Sequence, residues 1–409
     1  MPAAQYRYFD HVRTHIRPNG ERFPTVFESN GAPAHYPTCL MLNLRAKNSA
    51  SATLKAAASD LVHLGHVLAF EGLSDLNKRL EDGRYLDDSE IENICESMGL
   101  QTSLLRQLND PKVSPIKRAT LLQKAPAVAN NTKHRRITTC AQYIDLVARI
   151  GEAQASPHQR RERVARRLDM VKFFKSLRPK GRSSRVRTAV RADDLAKVIS
   201  FISTGDPSAV WKTPHLQERN WAIVTLLTLG GLRQSELRQL RADDIDTNQC
   251  TVAVHRRPDD PDDPRVDEPN AKTADRIIPI SHEVADRLDA YLLGCGQNSA
   301  LISGSPFAFL SAGNNSFGRP ISSTIVEEAV RQLGEHLGVE RLHPHALRSA
   351  WVQDLANWAS SEGIEPAELD RFANYLGGWS YFSKSASHYR GDHLTQKAFE
   401  AGLIVEEAR

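Results

Sequence analysis

The chain has 409 residues, 40% of them apolar and 25% charged, with a formal net charge of +4. That length exceeds one ordinary core and points to two or three domains of a globular protein. No run of about 18 apolar residues occurs, so no transmembrane helix is expected. The opening residues MPAAQYRYFDHVRTH lack the apolar core of a secretion signal. Five scattered cysteines, Cys39, Cys95, Cys140, Cys250 and Cys295, form no metal-ligand cluster and no disulfide framework, which fits a reducing cytoplasm.

In chain order, residues 1–45 mix aromatic residues with Pro and Gly and read as turns with short strands. Within them Leu40-Met41-Leu42-Asn43-Leu44 is the best strand candidate. From Thr53 the pattern turns helical, with Leu54, Ala58, Leu61, Leu64 and Leu68 on one stripe. Asp87 and Glu90 have the spacing of a capping box ahead of Ile91, Ile94, Cys95 and Met98, and Gly99 ends that helix. Tyr143, Leu146, Val147 and Ile150 suggest a third helix. Ser156-Pro157 starts a fourth, with Val164, Leu168 and Val171 inward and arginines outward.

Between Arg160 and Arg191 stand 13 Lys or Arg and two acids, Glu162 and Asp169, a local balance of +11 that leaves −7 for the rest. A basic block in an otherwise acidic chain is the footprint of a polyanionic partner. Arg160, Arg163, Arg167, Arg178, Lys180, Arg182 and Arg185 are its candidate contacts, and Pro179–Ser184 reads as a basic linker. Beyond it, residues 193–202 and 217–229 are helical by pattern, and Arg233 closes the second of these. Thr251–Arg256 and Arg276–Ile280 read as two strands joined by a Pro/Asp-rich surface loop, Pro258–Pro269. Helices follow over His282–Leu293, Ser322–Leu337, Pro344–Ala359 and Pro366–Leu376. The expected architecture is mainly α and multidomain: an N-terminal segment (1–45), a helical domain (46–178), a linker (179–190) and a mainly helical second domain (191–409) with a small antiparallel β-hairpin.

Two segments carry the chemistry: Gly231-Leu232-Arg233-Gln234-Ser235-Glu236-Leu237, and His345-Ala346-Leu347-Arg348 running through Leu376-Gly377-Gly378-Trp379 to Tyr389-Arg390. Two arginines, a histidine and a late tyrosine, without a metal cluster, suggest phosphodiester transfer through a tyrosyl ester. Guanidinium forks match the charge that grows on non-bridging phosphate oxygens. A phenol conserves the energy of the broken ester, so no ATP or other cofactor is required. Arg233 and Glu236, three apart, share a helical face, so the carboxylate can brace the cations; His345 and Arg348 repeat the spacing.

These segments resemble the tyrosine recombinases, the phage integrase family of site-specific recombinases. The first, with Leu240-Arg241-Ala242-Asp243-Asp244-Ile245-Asp246 after it, is similar to that family's first arginine box. His345–Arg348 is similar to its His-x-x-Arg box, and Leu376–Trp379 with Tyr389 to its closing motif and nucleophile. Asn270-Ala271-Lys272-Thr273 before Arg276–Ile280 is similar to the hairpin of its catalytic lysine. The matches extend over roughly residues 190–395; the preceding helices are similar to the family's core-binding domain only in architecture.

The resemblance implies a catalytic set of Arg233, Lys272, His345, Arg348, Trp379 and Tyr389, with Glu236 behind it. The arginines would clamp the scissile phosphate and Lys272 would protonate the leaving 5′-oxygen. His345 would act as acid or base toward Tyr389, Trp379 would donate to the phosphate, and Tyr389 would form a 3′-phosphotyrosine link. His343 is the alternative histidine; Tyr375 and Tyr381 sit too close to the Leu-Gly-Gly-Trp turn to be the nucleophile. Ten positions separate Trp379 from Tyr389 where the family has nine, a difference the Ser380–Ser387 loop absorbs. The implied partner is double-stranded DNA, bound in the cytoplasm at the nucleoid by a homo-oligomer: a dimer on a site and a tetramer in synapsis, with or without other recombinases or accessory proteins. A type IB topoisomerase and a catalytically silent architectural DNA-binding protein are the rival readings.

Overall fold

The computed structural model describes residues 9–180, 190–269, 273–296 and 304–378. Lys272, Trp379, Tyr381, Tyr389, Arg182 and Arg185 lie outside the described residues, as does the tail after Tyr389. The chain divides into two compact units, Met1–Arg185 and Val186–Arg409.

The first unit opens with a hairpin, β1 (His11–Ile16) paired antiparallel with β2 (Arg22–Phe27), followed by α1 (His35–Ala46) and α2 (Ser51–Phe70). Then come α3 (Leu76–Glu81), α4 (Asp88–Ser97), α5 (Thr102–Leu108), α6 (Pro115–Gln123), α7 (Asn130–Ala153) and α8 (Pro157–Ser176). The leucine stripe of α2 is fully buried. The α4 box closes in both directions: Glu90 N–H donates to Asp87 at 2.8 Å, and Asp87 N–H donates to Glu90 at 3.0 Å.

Leu40–Leu44 is helical, not a strand. Its apolar residues do not alternate, and a helix lets Leu40 and Met41 enter the core with Leu44 packed beside them. Phe9, Phe23, Val26 and Ala34 join the same cluster, so residues 9–46 are part of the first unit rather than a separate segment.

Helix α8 turns a different face inward from the one its sequence suggests. Leu168 is 54% exposed while Arg167 is buried, inverting the expected face. Arg167 donates to Glu152 at 2.7 Å and pairs with Asp145, both on α7. Met170, Val171 and Phe174 supply the buried apolar contacts of α8.

The second unit contains α9 (Ala192–Thr204), α10 (Pro214–Thr228), α11 (Gln234–Gln239), β3 (Ile245–Asp246), β4 (Thr251–Val254), β5 (Arg276–Pro279), α12 (His282–Tyr291), α13 (Ser323–Leu337), α14 (Pro344–Ser361) and α15 (Pro366–Gly377). The three strands form one antiparallel sheet in the order β3-β4-β5, with Val252 opposite Ile278 and Val254 opposite Arg276. Helix α10 is buried from Arg219 to Thr228 and supplies the centre of this unit's core.

The Pro258–Pro269 stretch is less of a surface loop than its composition suggests. Asp260, Asp263 and Glu268 are buried. Arg241 donates to Asp260 at 2.9 Å, and Arg265 folds back on Asp263 at 2.8 Å. Asp260 N–H in turn donates to Glu268 at 3.1 Å, so each buried carboxylate has the partner that burial demands. No helix among the described residues is long and apolar enough to cross a membrane.

Candidate active site

Arg233 does not close α10. That helix ends at Thr228, and Gly231, with φ +58°, turns the chain so that Arg233 becomes the N-cap of α11. A Cβ at Gly231 would be driven into the Trp351 ring, so the turn needs glycine for both its backbone and its packing. Glu236, at the third helical position, accepts the Arg233 N–H at 2.8 Å and the Arg233 guanidinium at 3.0 Å. Neither side chain needs a long helix to meet the other; the cap brings them together.

Arg348 lies on the first turns of α14, 1% exposed. Its guanidinium donates to the Gly231 carbonyl and, at 2.7 Å, to the Gly377 carbonyl. Arg233 donates to the same Gly377 carbonyl at 2.9 Å. One backbone oxygen at the end of α15 therefore gathers two arginines that are 115 positions apart in the chain. Carbonyls at a helix C-terminus carry the negative end of the helix dipole and lack intrahelical donors, so guanidinium groups suit them.

Behind the pair sits Glu236, whose side chain is fully enclosed. Thr273 Oγ1 donates to it at 2.6 Å, and Arg276 donates to both oxygens, at 3.2 and 2.7 Å. Arg348 stands 4.0 Å away. Burial pushes this carboxyl upward, but the Arg276 hydrogen bonds and charge, the Arg348 charge and the Thr273 hydroxyl outweigh it and hold the group down at about 2.

His345 is half-buried on the first turn of α14, its ring stacked 6.4 Å from that of His343. His343 Nδ1 accepts the Ala346 N–H at 3.2 Å, which makes His343 the capping residue and leaves His345 on the turn that carries Arg348. Among the described residues no cluster of His, Cys, Asp and Glu could hold a metal.

The arginines expected to follow DNA divide into two groups. Arg160 donates to the Glu152 carbonyl at 3.1 Å; Arg163 donates to the Glu81 and Asp82 carbonyls at 3.1 and 3.0 Å. Arg160 and Arg163 thus satisfy the ends of α3 and α7, and Arg167 pairs with the Glu152 and Asp145 side chains, so all three guanidiniums are engaged within the unit. Arg178 is half-buried and Lys180 exposed, and the outward cations of α8 are Arg161, Arg166, Lys172 and Lys175.

Thr273 and Arg276 lie in the hairpin segment that resembles the family's, but neither is singled out there as a site residue, and both join the site. A signal exists for Arg276: strand alternation places it on the face of Ile278, which is buried, and a buried arginine requires an acid.

Residues 190–390 match the phage integrase family model, and through this segment the chain belongs to that family of tyrosine recombinases. The tyrosine recombinase XerC of Lactobacillus leichmannii is 25% identical over 241 residues, covering 58% of this chain and 67% of that protein. The tyrosine recombinase XerA of Thermococcus kodakarensis is 27% identical over 198 residues, covering 47% of this chain and 59% of that one. Among solved structures, XerH bound to palindromic difH substrate in a post-cleavage complex aligns with a TM-score of 0.42 at 11% identity, covering 84% of this chain and 97% of that one. The protein is a tyrosine-type DNA strand transferase of the site-specific recombinase kind.

Proposed function

We propose that the protein recombines double-stranded DNA by cutting and rejoining it through a 3′-phosphotyrosine at Tyr389. The carrying observation is the convergence of Arg233 and Arg348 on the Gly377 carbonyl, two residues before Trp379, over the enclosed Glu236. Arg233, Arg276 and Arg348 oppose one carboxylate, so these four groups carry a surplus of two positive charges. That surplus suits a phosphodiester whose negative charge grows as the phenolic oxygen attacks.

In this reading Arg233 and Arg348 clamp the non-bridging oxygens. Lys272, adjacent in sequence to Thr273, protonates the leaving 5′-oxygen, and His345 exchanges a proton with Tyr389. Trp379 donates to the phosphate. The rejoining step reverses these roles: a 5′-hydroxyl attacks the phosphotyrosine and the phenol leaves. The first unit, with the linker, holds the duplex through its phosphates; Lys180, Arg182, Arg185 and the outward face of α8 supply the cations. Protomers pair on one site and two pairs form the synapse, at the bacterial nucleoid.

The test uses a plasmid carrying two copies of DNA that the wild-type protein selects from a random pool. Exchange between the copies is expected. Relaxation without exchange would indicate a type IB topoisomerase, and binding without a covalent adduct an architectural protein.

A further inference from the structure

Arg276 has a side chain only 1% exposed, yet it occupies the first position of a four-residue strand. Its three donor nitrogens are spread over two structural parts. Nη1 and Nη2 hold the two oxygens of Glu236, while Nε donates to the Leu376 carbonyl at 2.7 Å. The next turn of chain is pressed against the same group. Gly378, with φ +63°, lies so close that a Cβ there would come within 2.6 Å of Arg276 Nη1 and 2.8 Å of Thr273 Cβ. Ala274 N–H donates to the Gly378 carbonyl at 3.3 Å. The start of β5 and the end of α15 are thus joined at one buried guanidinium.

We propose that Arg276 is a positioning residue for strand transfer, fixing the Arg233–Arg348 pair, through Glu236, against the end of α15. This rests on the recombinase reading above. Chain connectivity gives the junction its importance: Lys272 precedes Thr273, and Trp379 follows Gly378. Arg233 and Arg348 contact Glu236 and the Gly377 carbonyl, while Arg276 contacts Glu236 and the Leu376 carbonyl one residue earlier. Lysine cannot replace it, because one ammonium lacks the planar fork that serves both carboxylate oxygens and a carbonyl together.

The test is Arg276→Lys, measured on a nicked duplex selected from random DNA by the wild-type full-length protein. The single-turnover rate of covalent adduct formation is expected to fall roughly 10- to 100-fold, as for an ångström-scale misplacement, with Kd for the duplex nearly unchanged. A double variant, Glu236→Gln with Arg276→Met, makes both members of that pair neutral but leaves Arg233 and Arg348 without their carboxylate, and it is expected not to recover the rate. If Arg276→Lys does not fold, Thr273→Val, which removes one hydrogen bond to Glu236, should show the same split in smaller measure. A folded variant cleaving at the wild-type rate, loss of Kd in step with rate, or recovery of rate in the double variant would overturn the proposal. Absence of any adduct with the wild-type protein would remove the recombinase reading, and this inference with it.

Discussion

Replacing Glu236 by Gln keeps the shape of the side chain and removes the negative charge that three guanidiniums share. Among the described residues the carboxylate accepts five hydrogen bonds: Thr273 Oγ1, Arg233 Nη1 and Arg276 Nη1 on one oxygen, and Arg233 N and Arg276 Nη2 on the other. An amide turns one of those oxygens into a donor, so at least two bonds become donor against donor. Removing one partner of a buried ion pair costs about 3–5 kcal/mol. For a unit of this size that lowers Tm by about 6–20 °C, at roughly 2–4 °C per kcal/mol. All five tryptophans, at 211, 221, 351, 358 and 379, fall in the second unit, so their fluorescence reports its melting alone. The difference also depends on pH. The folded carboxyl is held at about 2 against an ordinary 4.5, so its contribution is complete above 4.5 and is lost as pH falls through about 2. The gap between wild type and variant should therefore narrow between those values. A tryptophan transition within about 1 °C of wild type at neutral pH would refute the brace, since the smallest cost above implies several degrees.

Gly231→Ala should lower the same transition by several degrees: it places a side chain at positive φ and into the Trp351 ring, each costing about 1–3 kcal/mol. Exchanging the exposed Lys172, Lys175 and Lys180 for Ser should weaken binding alike on all DNA sequences and shrink the salt slope by about 0.9 for each phosphate no longer neutralised; an unchanged slope places the phosphates elsewhere. Lys272→Ala should cleave ordinary DNA poorly and recover on a 5′-bridging phosphorothiolate, whose sulfur leaves without a proton. Failure of that rescue with binding intact would move the general acid to another group.

Features fixed by a local pattern are legible in the sequence. The α2 stripe and the Asp87–Glu90 box follow from helical spacing alone, and both appear as expected. What escapes depends on partners distant in the chain. Arg167 reads as an outward cation because Asp145 and Glu152, on the preceding helix, are not visible as its partners. Arg276 reads as a strand boundary because its acid lies 40 positions earlier. Arg233 and Glu236 are rightly associated, but for an incomplete reason: the N-cap of α11, not a shared helical face, brings them together. Leu40–Leu44 misleads because a short apolar run does not reveal its period until its neighbours are placed.

In the proposed reaction Tyr389 is the nucleophile that the arginine pair serves. Phenylalanine at 389 keeps the ring and removes only the reacting oxygen, and Tyr381→Phe is the matched control. The direct measurement is peptide mapping of a covalent adduct trapped on a nicked duplex. DNA is expected to be attached at Tyr389, with near-normal binding but no adduct for Tyr389→Phe and an undiminished adduct for Tyr381→Phe. An adduct mapped to Tyr381, or one that persists in Tyr389→Phe, would contradict that assignment.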